Sequence, residues 1–314
     1  MAIKYPLYKD NYDFVKVLKN FEDLKDYKFD YYDNKSKTSI YSLNIDYDRD
    51  ERFLRITDYF SEECRIKCNF SDFISPYEYF TINKDSIIKN LTKEYSYKEI
   101  DNYIFSRGPR QCTLFNLIVC TSILRHFKPK RWLDPSAGWG DRLIAAINYG
   151  DCYYRATDPN DCLHPKYKEI IDTFAEKKTI EDERGSRPKY HITQEGFETA
   201  QIEAGYYDLV FTSPPFFDLE KYSNSPEQSH IKFATLEEWM NGFMYPFLIK
   251  AIASLQKDGH LCLYVADDKK KKVFFVNRIK RYLNENKRMK FIGNIFWQAD
   301  TRQKNIMVFK KIKK

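Results

Sequence analysis

The chain reads as an α/β protein: strands alternate with helices over residues 101–314 and close on a terminal hairpin, behind a smaller α+β part in residues 1–100. Three observations predict this. Short apolar runs such as Tyr206–Phe211 and His260–Val265 have strand length. Runs of helical period lie between them, and Gly or Pro punctuates the junctions. At 314 residues and 43% hydrophobic content, the chain has room for one large domain or two ordinary ones, with a true core.

In the N-terminal part, alternation in Ser39–Leu43 and Arg52–Ile56 predicts strands, and Lys84–Lys98 reads as helical at first and then polar. Tyrosine is dense there, and an exposed tyrosine can stack on a base. The segment is slightly acidic, however, with 17 Lys+Arg against 19 Asp+Glu, which argues against a main polyanion contact. The Lys, Tyr, Asn and Ile content also fits an A·T-rich genome, viral or bacterial. The boundary falls near residue 100, making 1–100 an accessory or target-recognition domain. Phe105-Ser106-Arg107-Gly108-Pro109-Arg110-Gln111 then precedes an apolar helix ending near Arg125.

Lys130 to Leu143 reads as strand, small-residue turn and helix. Gly138 and Gly140 permit positive φ and close approach of a ligand. Asp134, at the strand end, is placed to pair with a ligand's ammonium group. The helix from Asp141 aims free N–H groups at the same place. Tyr153–Asp158 is a second strand ending in an acid, 24 residues after Asp134 and near the ~20-residue spacing at which such an acid holds ribose hydroxyls. His191–Glu198 is a third strand and loop, with Phe197 a candidate stacking partner.

Tyr206–Phe211 is a buried strand that Thr212-Ser213-Pro214-Pro215-Phe216 ends, because neither proline can donate to a ladder. Ser213 and the Pro214 carbonyl can accept the hydrogens of a planar amino group, and Phe216 can stack on its ring. The polar stretch Phe217–His230 is long enough for a lid, with Phe217, Lys221 and His230 as candidate substrate contacts. Thr235–Leu255 is a helix that Gly259 caps in the left-handed region; His260–Val265 is a strand; Phe291–Gln298 and Asn305–Phe309 form the hairpin through Asp300–Gln303.

These residues carry a resemblance. Asp134-Pro135-Ser136-Ala137-Gly138-Trp139-Gly140 resembles the S-adenosylmethionine loop of class I methyltransferases. Ser213-Pro214-Pro215-Phe216 resembles the catalytic tetrapeptide of the amino-methyltransferases, which modify exocyclic amines of adenine or cytosine in nucleic acids. The resemblance spans roughly Tyr103 to the C-terminus. It implies a Rossmann-like, seven-stranded, mostly parallel sheet with a reversed terminal strand. It also implies S-adenosyl-L-methionine as cofactor, held by Asp134, Ser136, Gly138, Gly140, Asp158 and Phe197, with Arg107 or Arg110 at its methionine end. Catalysis would fall to Ser213, Pro214, Pro215 and Phe216. In the family, Ser at the first position leans towards cytosine, whereas Phe at the fourth departs from the usual Tyr and is more typical of RNA cap-adenosine enzymes. The reading is therefore a DNA amino-methyltransferase, with RNA, protein or small-molecule N-methylation as alternatives.

Charge points the same way. Residues 257–314 carry 17 Lys+Arg against 5 Asp+Glu, and Lys269-Lys270-Lys271-Lys272 follows a strand at the ligand edge, so Lys269 and Lys270 are candidate phosphate contacts. No run reaches the ~18 apolar residues of a membrane helix. Seven cysteines without a C-x-x-C pair favour neither a disulfide framework nor a metal site, and reduced thiols in an intracellular protein, cytoplasmic or nuclear, are expected.

Overall fold

A computed structural model describes all residues except 1–3, 28–29, 34–40, 47–50, 91–95, 300–301 and 314. Nine strands form one sheet: β1 (Asp30–Asp33), β2 (Tyr41–Asp46), β3 (Arg131–Asp134), β4 (Tyr153–Thr157), β5 (Tyr190–Thr193), β6 (Tyr207–Thr212), β7 (Leu255–Leu263), β8 (Met289–Ala299) and β9 (Arg302–Lys311). Their spatial order is β1-β2-β8-β9-β7-β6-β3-β4-β5. The seven strands β8-β9-β7-β6-β3-β4-β5 are the expected sheet: β9 runs antiparallel to both neighbours and the rest are parallel. The N-terminal β2 then adds parallel to β8, and β1 antiparallel to β2.

The strands are apolar on both faces, as a sheet covered on both sides requires. Trp132, Tyr154, Leu209 and Phe211 face one cluster; Leu133, Tyr153, Val210 and Leu261 face the other. The first cluster receives α1 (Phe14–Asp26) and α2 (Glu51–Arg65) through Val17, Phe21, Phe53, Ile56 and Phe60. It also receives α5 (Leu117–Phe127), α6 (Asp141–Tyr149) and α7 (His164–Phe174). The N-terminal elements thus share a sheet and a core with the rest of the chain; between α2 and α5 lie α3 (Pro76–Asn90) and α4 (Tyr97–Phe105). The second cluster holds the helical stretch 236–254, whose turn Met240–Met244 is a π-helix, and α9 (Val276–Glu285), where α8 denotes Tyr245–Ser254.

Several expectations change. Arg52–Ile56 is helix, not strand: Phe53, Ile56, Phe60 and Cys64 are all buried, a helical spacing that a five-residue window of alternation hides. In Lys84–Lys98 the helical start belongs to α3, which runs to Asn90, and α4 begins at Tyr97, with residues 91–95 outside the described residues. Of the Ser39–Leu43 strand, Tyr41 onward is confirmed, and Ser39 and Ile40 lie outside the described residues; so do Asp300 and Thr301 of the hairpin turn. The positive φ after α8 belongs to Asp258 (68°), not Gly259. Gly259 is instead closely surrounded, since a Cβ there would lie 3.1 Å from Tyr207 O. The thiols are not all reduced: Cys64 and Cys162 form a disulfide, and the other five cysteines are free and buried.

Candidate functional site

The loops at the carboxyl ends of β3, β4, β5 and β6 meet around a cavity of about 540 Å³. The β3 loop is shaped by glycine. Gly138 has φ +63° and Gly140 φ +102°, and a Cβ on Gly140 would lie 2.8 Å from Ile170 Cδ1. The loop is tied to β4, with Ala137 N–H donating to Thr157 O at 2.9 Å and Thr157 Oγ1 to Pro135 O at 2.8 Å.

Asp134 does not face the cavity. It is fully buried, and its Oδ2 accepts from Arg142 Nε at 2.7 Å and from the Tyr154 hydroxyl at 2.8 Å. The expected pairing with a ligand ammonium is therefore displaced: the guanidinium of Arg142, in the first turn of α6, already neutralises this carboxylate. Asp158 does line the cavity. Its Oδ2 accepts from Gly138 N–H at 2.8 Å and its Oδ1 from Asn160 N–H at 3.0 Å. Burial raises its carboxyl above the ordinary range, with those two N–H groups acting in the opposite sense.

Phe197 also lines the cavity, its ring 5.0 Å from that of Phe247. Lys250 Nζ donates to the carbonyls of Phe197, Glu198 and Ala200 at 2.7–2.9 Å and so fixes this turn. Ser213, Pro214, Pro215 and Phe216 all line the cavity, as do Ser136 and Gly138. The two motifs, some 75 residues apart, thus open onto the same space. Phe216 meets Tyr264 edge-on at 5.5 Å, and Tyr264 in turn contacts Phe115 and Trp297 at 5.5 and 5.1 Å, an aromatic wall beside the tetrapeptide.

Other expected residues lie elsewhere. Gly140 shapes the loop without lining the cavity. Arg107 is exposed and folds back over the Tyr103 ring at 3.3 Å, and Arg110 stacks over Phe73 at 4.7 Å; neither reaches the cavity, because each finds a local aromatic face. Phe217, in the left-handed region at φ 56°, turns its ring to Trp239 instead. Lys221 is exposed, and half-buried His230 lies outside the lining, its pKa lowered by burial and then by Lys221. Lys269 and Lys270 are exposed, outside the cavity. The segment after the tetrapeptide is sewn to the N-terminal part: Glu220–Lys221 pairs with Asn69–Phe70, and Glu220 Oε1 accepts from Thr113 N–H and Oγ1, both at 2.9 Å.

Sequence reasoning missed one wall. Leu54, Arg55, Asp58 and Arg65 of α2 line the cavity, together with Asp141 and Phe115. The available signal was Leu54, Asp58 and Arg65 at steps of four and seven, which share a helix face.

Residues 207–313 match the family described as DNA methylase, the N6 and N4 type. That stretch begins with β6 and includes the Ser213–Phe216 turn and strands β7 to β9. Among curated proteins nothing matches. Similar solved structures include TrmN from Thermus thermophilus (12% identity, 78% of this chain and 81% of that one, TM-score 0.43) and a putative RNA methyltransferase from Pyrococcus horikoshii (13%, 62% and 81%, 0.40). A third is magnesium protoporphyrin IX methyltransferase from Synechocystis PCC 6803 with bound SAM (9%, 74% and 93%, 0.41). The cavity fits the chemistry of an S-adenosylmethionine donor: a glycine-shaped loop, a buried acid at the end of β4, an aromatic turn after β5 and the Ser-Pro-Pro-Phe turn after β6 share one space. Among the described residues no group of three potential metal ligands occurs, and no helix is long and apolar enough to cross a membrane.

Proposed function

We propose that this methyltransferase acts on the exocyclic amino group of a base in DNA, cytosine or adenine. The observation that carries the reading is the shared cavity of Ser213–Phe216 and the Ser136–Gly138 loop, with the DNA methylase match over the tetrapeptide's side of it. An exocyclic amine is a weak nucleophile because its lone pair is delocalised into the ring. Ser213 Oγ and the Pro214 carbonyl accept its two hydrogens, which favours a pyramidal nitrogen with its lone pair aimed across the cavity. The two prolines hold these acceptors stiffly, so little ordering remains at the moment of reaction, and such positioning supplies as much as ~7–11 kcal/mol of a barrier. S-adenosyl-L-methionine supplies an electrophilic methyl on sulfonium when bound. Asp158, Ser136, Gly138 and Phe197 hold and orient it, and Asp134 acts behind them by fixing Arg142 and the loop. Phe216 and the Tyr264–Phe115–Trp297 wall supply flat apolar faces for a ring flipped from its stack, a step costing a few kcal/mol.

Phe216 at the fourth position favours a second reading, the same chemistry on an RNA adenosine. One experiment separates them: incubation with labelled donor and DNA, uncapped RNA or capped RNA, followed by mass spectrometry of the nucleosides. N4-methylcytosine or N6-methyladenine from DNA is expected. Methylation confined to RNA moves the assignment to the second reading, and none from donor-binding protein rejects both.

A further inference from the structure

The basic charge of the C-terminal region falls in two separate places. β7 runs parallel to β6 and ends at Leu263, so the lysine turn that follows it stands at the sheet edge where the cavity opens. β8 runs in the same sense as β7, since β9 is antiparallel to both. Lys287, Arg288 and Lys290, around the start of β8, therefore stand at the opposite edge. By the rise of an 11-residue strand, that edge is roughly 30 Å away.

The turn at the cavity edge is built. Asp268 and Val273 exchange backbone bonds at 3.1 and 2.9 Å, and Asp268 Oδ1 accepts from the N–H groups of Lys270 and Lys271 at 2.9 and 3.1 Å. Lys271 Nζ lies 3.1 Å from Asp72 and 3.0 Å from Asp218, which ties the turn to the N-terminal part and to the segment after the tetrapeptide. Lys270 and Arg110 both lie over the ring of Phe73, at 4.8 and 4.7 Å. Stretches far apart in sequence thus meet in one rim. It borders the cavity, because Gln111, next to Arg110, and Leu219, next to Asp218, both line it. Arg110, Lys269, Lys270 and Lys272 are exposed there and pair with no carboxylate among the described residues. Phe274 beside them is 56% exposed, whereas Phe275 is buried against Trp239.

Four cations without counter-charges attract a polyanion. The exposed phenyl face narrows the choice. A duplex offers phosphates and groove edges, and only an unpaired base offers a ring face on which an aromatic side chain can stack. The opposite-edge cluster has the charge but stands too far off to steer a base into the cavity.

We propose that an unpaired stretch of polynucleotide docks on this rim, its phosphates on Arg110, Lys269, Lys270 and Lys272 and a base flanking the target on Phe274, while the opposite-edge lysines take no part. The inference rests on the nucleic-acid reading given above and adds where the strand lies and that it is unpaired. It also gives Arg110 a role in place of the cofactor contact expected from sequence.

Fluorescence anisotropy with labelled oligonucleotides tests it, using a short single-stranded DNA, the single-stranded RNA of the same sequence and the DNA duplex. Wild-type protein is expected to bind one of the single strands at least about tenfold more tightly than the duplex. Arg110→Gln combined with Lys270→Gln is expected to weaken that strand by about tenfold. The slope of log affinity against log salt should become shallower by about 1.4, the ~0.7 per phosphate of single strands taken twice. Phe274→Ala is expected to weaken the strand by about tenfold with the slope unchanged. Lys287→Gln combined with Lys290→Gln removes the same charge from the opposite edge and is expected to stay within about twofold of wild type. All five positions are exposed, so the variants are expected to fold, and their thermal midpoints check this. A duplex bound as tightly as both single strands, rim variants that bind like wild type, or an opposite-edge variant that loses as much as the rim variant each overturns the inference. The assigned function then still stands or falls by the methylated nucleoside. Wild type that binds none of the three oligonucleotides overturns the nucleic-acid reading itself.

Discussion

Ser213 tests the chemistry at a single atom. If its hydroxyl accepts a hydrogen from the target amine only as nitrogen pyramidalises, Ser213→Ala lowers kcat by on the order of 10²-fold and leaves donor affinity unchanged. Single-turnover kinetics beside calorimetry reads both quantities, and a parallel fall in donor affinity would show that Ser213 serves the cofactor instead. This residue was legible because its signal is local: a strand must stop where two prolines follow, and what precedes them stands at the sheet edge. Asp158 was legible for the same reason. Asp134 was legible in position but not in direction, because its carboxylate's partner, Arg142, lies beyond the loop in the first turn of α6 and nothing in the loop announces which way the acid turns. Arg107 and Arg110 were misread because an exposed guanidinium takes the nearest aromatic face, here Tyr103 and Phe73.

At the scale of elements, the β3–α6 turn is the most demanding. Gly140 is the residue before α6, with φ +102°, and any Cβ there meets Ile170 of α7. Gly140→Ala is therefore strained by backbone and by contact together and is expected to cost roughly 1–3 kcal/mol of stability. Because the turn carries Gly138 and Ser136 into the cavity, donor affinity falls with it. Thermal unfolding with and without donor checks this; a variant as stable as wild type would mean that α7 moves aside freely. Strands β6 and β7 were legible from length and apolarity, since a strand covered on both faces shows a continuous apolar run, whereas β3, β4 and β5 carry Arg131, Arg155 and His191 and were legible from the turns that follow them. Helix α2 was not, because polar residues interleave its buried Phe53, Ile56, Phe60 and Cys64, and the alternation of a five-residue stretch imitates a strand.

Across the whole molecule, the least legible feature is how the N-terminal part joins the rest. The parallel pairing of β2 with β8 links residues some 250 positions apart, and no local pattern specifies such a neighbour. The disulfide reports the same junction. Cys64 precedes Arg65 on α2, and Cys162 lies between Asn160 and Leu163, so the bond ties two walls of the cavity across a sequence separation of 98. Closing a loop of that length restricts the unfolded chain by up to about 4–5 kcal/mol in the chain-entropy account. For a domain of this size that corresponds to a thermal midpoint lower by roughly 4–8 °C once the bond is opened. Reduction by a dithiol, and separately Cys64→Ser, are expected to give that shift and to weaken the donor, because α2 and the Asp158 turn lose their cross-tie. The two treatments should agree, since both remove the same constraint. A reduced protein with unchanged midpoint and donor affinity would mean that core packing by Phe53, Ile56 and Phe60 alone seats α2 against the sheet.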